Sequence, residues 1–415
     1  MKRKLLGLVL LIATGVVAAP AAAQASAADV PLVRMRDGHG SDLLFRLNPQ
    51  TLQQIGRPIR TFRGGSGLSI SPDGSRLAFA DPWGRNPRQA ARIHFVDIAG
   101  WRSMGVARVG RTQWLTVGWV GRDRVLAIVG EGLDRQRLLW VDVRTRKVVA
   151  RRAFSGFNVN SVTVPGGLAV ALGPREGVGA LRILVVDENA GVRTITVDGI
   201  KAGAKYPEDS STGRVLTPAV TVDPETGRLY AIAARGLLVA EVDLASGAVD
   251  YHALGASAAK GNVEVWSRYA TWAGNGRIAV TGDHWLPVRG RRLSDGPVPF
   301  GLRMIDTATW TISTFDRRPD TMHVGGGTVL ASGTRWFDAG RHPRSTGLLA
   351  FDHAGKRAFT RFPDREVVLL GSRGNLGYVW VRRTRTAHVI DMSDGRTLNT
   401  IRTGRRVPFL LSPTP

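Results

Sequence analysis

The chain has no cysteine among its 415 residues, which excludes disulfides, thiolate metal sites, cysteine nucleophiles, c-type haem attachment and a lipid anchor on Cys. The fold must stand on its core alone. Beyond the N-terminal segment no apolar run approaches the roughly 20 residues that a membrane-spanning helix needs. No segment sustains a helical period. Lysine is scarce, confined to Lys2, Lys4, Lys147, Lys201, Lys205, Lys260 and Lys356, so arginine carries nearly all the positive charge. A GC-rich genome gives the same bias without any ligand. The G-x-S-x-G, H-E-x-x-H, P-loop and EF-hand patterns are all absent. Ser257–Lys260 fits S-x-x-K, but its companion K-T-G triplet is missing and chance accounts for it.

What is present starts with MKRKLLGLVLLIATGVVAAPAAAQASA, in which Lys2, Arg3 and Lys4 precede an apolar stretch and a small-residue cleavage site. This reads as a Sec-type signal peptide over residues 1–27, cut after Ala27. Residues 28–415 then form one domain, secreted, periplasmic or held at the cell envelope, with no membrane span and no lipobox. Loss of the three basic residues takes the formal charge from +24 to +21. Such a surface is drawn to polyanions. Export makes nucleic acid a poor partner, and no basic and aromatic residues alternate as a single-strand groove requires. An unknown protein, an anionic envelope polymer or phospholipid head groups fit better, bound by a monomer.

A phrase recurs along the chain: a hydrophobic strand closed by Asp, a turn, and a second strand. The closing residues are Asp97, Asp142, Asp187, Asp243, Asp306, Asp352 and Asp391, and an eighth unit has Arg46 at that place. Before each unit lies another strand, turn and strand, clearest in LSISPDGSRLAFAD (Leu68 to Asp81) and VTVDPETGRLYAIA (Val220 to Ala233). Period-two alternation and Asp, Asn and Gly turns mark hairpins. Four short antiparallel strands per unit describe the blades of an all-β propeller. The count is eight blades, or seven if one worn copy is not a full sheet. The ring closes where RVPFLLSPTP (Arg406 to Pro415) pairs with strands around PLVRMR (Pro31 to Arg36).

SPDGSRLAFAD resembles the repeat of PD40, or WD40-like, propellers of TolB and related bacterial envelope proteins, and PETGRLYAIA resembles YVTN-type secreted propellers. The resemblance implies a binding scaffold and carries over no catalytic residue.

The repeated Asp residues invite a metal or acid–base reading. A side chain at one place in every unit fits better as an acceptor of backbone N–H groups in the turn that follows. His94 and His388 lie within strands as buried or bonded residues, and Asp37–Asp42 (DGHGSD) is a turn before it is a calcium loop.

In an up-and-down blade the short turns collect on one rim and the long loops and links on the other, which is the default binding face. There Trp83, Trp285 and Trp336 could offer flat apolar faces. Arg85, Arg289, Arg291, Arg292 and Arg341, with Arg344, could fork onto carboxylate, sulfate or phosphate. Asp283, His284 and His342 share that face, where a pair could hold metal or act as acid and base. Equally, the Trp residues would cover blade edges and the Arg residues pair with Asp81, Asp283 and Asp338. The expectation is a non-enzymatic scaffold with no cofactor and no metal. The alternative is a propeller enzyme, a metal-dependent lactonase, another hydrolase or a lyase, acting at the central opening.

Overall fold

The computed structural model describes residues 32–36, 42–60, 68–81, 90–130, 136–205, 214–255, 264–285, 298–335, 344–403 and 409–411. Their regular elements are strands, and among the described residues no helix is long and apolar enough to cross a membrane.

The first sheet holds β1 (Leu32–Arg36), β2 (Asp42–Leu47) and β3 (Gln54–Arg60), with the last strand, β34 (Phe409–Leu411), at its inner edge. Leu32 pairs with Leu411 and Arg34 with Phe409, the closure expected from the sequence. Next come β4 (Leu68–Ile70), β5 (Arg76–Asp81), β6 (Ala91–Asp97) and β7 (Arg102–Gly110). β8 (Trp114–Trp119), β9 (Arg124–Gly130), β10 (Gln136–Asp142) and β11 (Lys147–Phe154) follow. A run of β12 (Phe157–Val164), β13 (Gly167–Gly173), β14 (Gly177–Asp187) and β15 (Val192–Lys205) ends beside β16 (Arg214–Thr217).

The next four-stranded sheet is β17 (Ala219–Val222), β18 (Leu229–Ile232), β19 (Leu237–Val242) and β20 (Val249–Gly255). Then come β21 (Glu264–Gly274), β22 (Arg277–Trp285), the two-residue β23 (Val298–Pro299), β24 (Leu302–Asp306) and β25 (Thr311–Asp316). Two sheets remain: β26 (Thr321–Gly325), β27 (Thr328–Arg335), β28 (Arg344–Asp352) and β29 (Arg357–Arg361); and β30 (Val367–Arg373), β31 (Leu376–Val381), β32 (Thr386–Asp391) and β33 (Thr397–Arg402). The inner strands neighbour one another in chain order from β4 through β8, β12, β17, β21, β26 and β30 to β34. This is a β-propeller.

Its sheets are not the eight, or seven, equal blades of the sequence reading: among the described residues six have four strands and one has ten. The cause is local. The segment from Val197 to Thr217, which carries no repeat unit, supplies the last part of β15 and the whole of β16. β16 pairs antiparallel with Gly203–Lys205 and parallel with Glu264–Ser267, so two four-stranded runs fuse along one path.

The alternation also differs from expectation. Second strands are buried on both faces, as in Leu77–Ala80 and all of β13, because each is covered by a neighbouring sheet on either side. Ile93, Phe95, Leu115, Trp119, Val125 and Val141, for example, form one core between two sheets. Alternation survives on outer strands such as β7 and β20, which face solvent on one side.

The closing Asp residues bind their own turns. Asp142 accepts Thr145 N–H at 2.7 Å, Asp187 accepts Asn189 N–H at 2.7 Å, and Asp243 accepts Ala245 N–H at 2.7 Å. Asp306, Asp352 and Asp391 do the same with Ala308, Ala354 and Ser393. Turn N–H groups, led by Thr145 at Asp142, Ser246 at Asp243 and Thr309 at Asp306, favour the ionised form and hold these carboxyls below the usual range, and the Ser393 hydroxyl leads the same effect at Asp391. In the unit with Arg46, Asn48 takes over, accepting from Gln50 and Thr51 N–H. Asp97 departs, since Arg102 Nε donates to it at 3.2 Å.

Arginines on this rim clip sheet to sheet. Arg46 donates to Ala99 O at 2.8 Å, Arg76 to Asp123 at 2.6 Å, Arg124 to Glu188 O and Arg277 to His353 O.

Candidate functional site

The strand ends on the opposite rim carry a basic and aromatic cluster where the β21–β25 run meets the β17–β20 sheet. Its members come from one face. In the β21–β22 register Trp266 pairs with His284 and Arg268 with Gly282, while Val280 pairs with Arg303 of β24. Directly paired residues, and residues two apart, share a face of a sheet. Trp266, Arg268, His284 and Arg303 therefore project together, above Ile278, Val280, Ile305, Tyr230 and Ile232 of the core between the two sheets.

Phe300 enters the same place because its N–H bonds Gly282 O at 2.8 Å. Gly282 is required here: at φ +147° any Cβ would run into the Ser267 carbonyl oxygen. The site thus exists where the second strand has no side chain.

Contacts within the cluster are close. The Trp266 and His284 rings stack at 4.5 Å with planes 12° apart. The Arg268 and Arg303 guanidinium carbons lie 3.7 and 3.9 Å from the Phe300 ring centroid, so both cations rest on one ring. Arg268 is only 2% exposed, and its Nη1 donates to Ser267 O at 2.8 Å and Asp283 O at 3.0 Å. Trp266 also packs with Leu216 of β16, Ala234 and Val178, so the strand that fuses the sheets buttresses the cluster.

The electrostatics follow from crowding positive groups in a half-dry place. Burial, reinforced by Arg303 and opposed by Asp283, pushes the Arg268 guanidinium down to about 9. Burial, with both arginines adding to it, pushes His284 down to about 4, so its imidazole is neutral at neutral pH. Burial lowers Arg303, with Arg317 contributing. Burial raises the Asp283 carboxyl, against the pull of Arg268. Among the described residues neither Arg268 nor Arg303 has a carboxylate in ion-pair range.

Of the residues singled out in the sequence, Asp283 and His284 belong here. Being adjacent in β22 they point to opposite faces, so they do not form an acid–base pair with each other. Among the described residues no three His, Asp or Glu side chains converge as a metal site requires. The backbone of Trp285 ends β22 opposite Val265. Trp83, Arg85, Arg289, Arg291, Arg292, Trp336, Arg341 and His342, with Asp338, lie outside the described residues. Arg344 pairs with Arg335 at the start of β28. Asp81 is fully buried 3.6 Å from His94, and His94 stacks on Phe79 at 4.6 Å. His388 bonds Thr386 and Thr400, each at 2.8 Å.

Trp266, Arg268, Phe300 and Arg303 were not among the sequence candidates. One signal was available. Three residues before the closing Asp the units carry His94, Leu139, Leu184, Ala240, Arg303, Leu349 and His388, and Arg303 is the one permanent charge in that series.

No family model matches the chain, and no curated protein sequence matches it. Solved structures do. It is similar to the dihydro-haem d1 dehydrogenase NirN in complex with DHE, at 16% identity over 92% of this chain and 74% of that one, with a TM-score of 0.58. It is also similar to apo AztD from Citrobacter koseri, at 11% identity over 92% of this chain and 96% of that one, with a TM-score of 0.54. These likenesses show the fold. The resemblance of SPDGSRLAFAD to WD40-like and TolB-like propellers holds at that level.

Proposed function

We propose that this chain is a non-enzymatic propeller scaffold, exported behind its N-terminal signal, that holds a protein or an anionic envelope polymer on its long-loop rim. The observation that carries the reading is the contrast in arginine pairing. Arginines on the turn rim, such as Arg76 with Asp123, are joined to partners within the fold, whereas Arg268 and Arg303 near the other rim have no carboxylate in reach among the described residues. Loops on a rigid frame are where binding concentrates, and the long segments with Trp285, Arg289, Trp336 and His342 leave from the same rim. Eight blades suit this reading, with the ten-stranded sheet counted as two blades joined by β16 as a strut.

The test is retention of the mature chain, residues 28–415, on envelope polymers and proteins at low and moderate salt. Retention that survives moderate salt and is lost when 286–297 and 336–343 are shortened supports the reading. Release by salt alone, with no dependence on those segments, overturns it in favour of plain electrostatics. Turnover of a lactone or glycan substrate by the same preparation overturns it in favour of an enzyme.

A further inference from the structure

The cluster between the β17–β20 and β21–β25 strands has a surplus of donors. Arg268 Nε, Arg303 Nε, Trp266 Nε1 and His284 Nδ1 are all buried, and none has a hydrogen-bond partner among the described residues. Unpaired buried donors of this kind cost about 1–3 kcal/mol each, and more when charged. Three such donors, with His284 Nδ1 a fourth in the tautomer that protonates it, lie on one sheet face, an arrangement kept for a partner. That partner must accept several hydrogen bonds, carry negative charge and be small enough to sit against one sheet face.

We propose that this sheet face is a binding site for a single oxyanion, the carboxylate, phosphate or sulfate group of a ligand, gripped at the Nε edge of Arg268, with Arg303 across the Phe300 ring and Trp266 and His284 beside it. The proposal rests on the rim reading only for its setting, since the site is built wholly from strands. Each element has a task. The two main-chain carbonyls fix Arg268 through Nη1 and leave its Nε edge free, the side from which a guanidinium grips an oxyanion with two parallel bonds. The two guanidiniums flank opposite faces of Phe300, 3.7 and 3.9 Å from its centroid, so both charges act on one small region from either side of that ring. An oxyanion with about four lone-pair positions matches these donors. The Trp266–His284 stack offers a flat wall to whatever carries the charged group. Asp283 faces the other side of the sheet, so it tempers the charge of Arg268 without occupying its Nε edge.

The experiment is calorimetric titration of the intact mature chain with sodium phosphate, sulfate and acetate, each at constant ionic strength set with chloride. At least one should bind saturably at one site, and the one that does identifies the group. Arg303→Gln should weaken that affinity by about tenfold or more, the worth of a charge-assisted bond, and His284→Ala should weaken it less. Arg402→Gln, on the exposed outer strand β33, should leave it unchanged. Arg303 is half-buried, so its variant tests the site even if Arg268→Gln does not fold. Absence of saturable binding for all three anions overturns the proposal, as does binding that Arg303→Gln leaves intact. Envelope retention that persists in Arg303→Gln while anion binding is lost separates the two readings: the anion site stands and the rim does not need it. Retention lost by loop shortening with no anion bound in any form does the reverse.

Discussion

The two rims handle charge in opposite ways. On the turn rim Asp142, Asp243 and Asp306 spend their charge on backbone N–H groups of their own turns, and Arg46, Arg76, Arg124 and Arg277 reach carbonyls or carboxylates of an adjacent sheet. On the opposite rim Arg268 and Arg303 sit on Phe300 with no carboxylate in reach among the described residues, and Arg268 bonds only carbonyls of its own sheet. Net charge alone does not separate these populations. The excess of arginine in the sequence is partly mortar between sheets, and only the unpaired fraction argues for a ligand.

The contrast breaks most severely at glycine. Gly282→Ala should cost about 3 kcal/mol or more, because the new Cβ meets backbone. Gly276→Ala, in the turn after Asn275, should cost about 1 kcal/mol, since only its positive φ is penalised and Thr307 Oγ1 stands at 3.2 Å. Thermal unfolding of the two variants gives the comparison, and equal losses would refute it.

Asp142→Ala comes next, with an expected loss of about 1–2 kcal/mol from two bonds to Thr145 at a solvent-facing turn. Denaturant midpoints at neutral pH measure it.

His284 sharpens the contrast with pH. Its folded value, near 4, lies below the ordinary 6.5, so the fold accommodates the neutral ring. The stability tied to this group is complete above about 6.5 and is lost as pH falls toward 4, by about 1–2 kcal/mol once partial exposure is allowed for. His284→Asn should flatten that part of the urea midpoint profile between pH 7 and 4.5, and an unchanged slope would count against the buried neutral imidazole.

The smallest effect has the opposite sign. Arg303→Leu should leave stability unchanged or raise it by up to about 1 kcal/mol, because the half-buried charge it removes has no carboxylate in reach and leucine keeps an apolar contact with Phe300. A clear drop in melting temperature would mean that Arg303 is structural.

The propeller was legible because its signal is local and repeated. Each hairpin carries its own Asp or Asn turn, and even the unit with Arg46 keeps an acceptor in Asn48. β16 was not legible, because its four residues have no turn of their own and gain strand character only from β15 and β21. Half the site was hidden for the same reason. Asp283 and His284 stood out beside a long loop, whereas Arg268 and Arg303 lie 35 positions apart inside strands. Only the β21–β22–β24 register, with Gly282 opposite Arg268, brings them over Phe300.

β34 joins the first sheet through three residue pairs, and its residues are the last of the described chain to be made. A ribosome delivers Leu32 long before Phe409, so until then the sheets stand as an open arc whose two end sheets each have one face uncovered. The ring therefore cannot close before Phe409 to Leu411 have been made. Whatever carries or shelters the chain in that interval handles an unfinished circle.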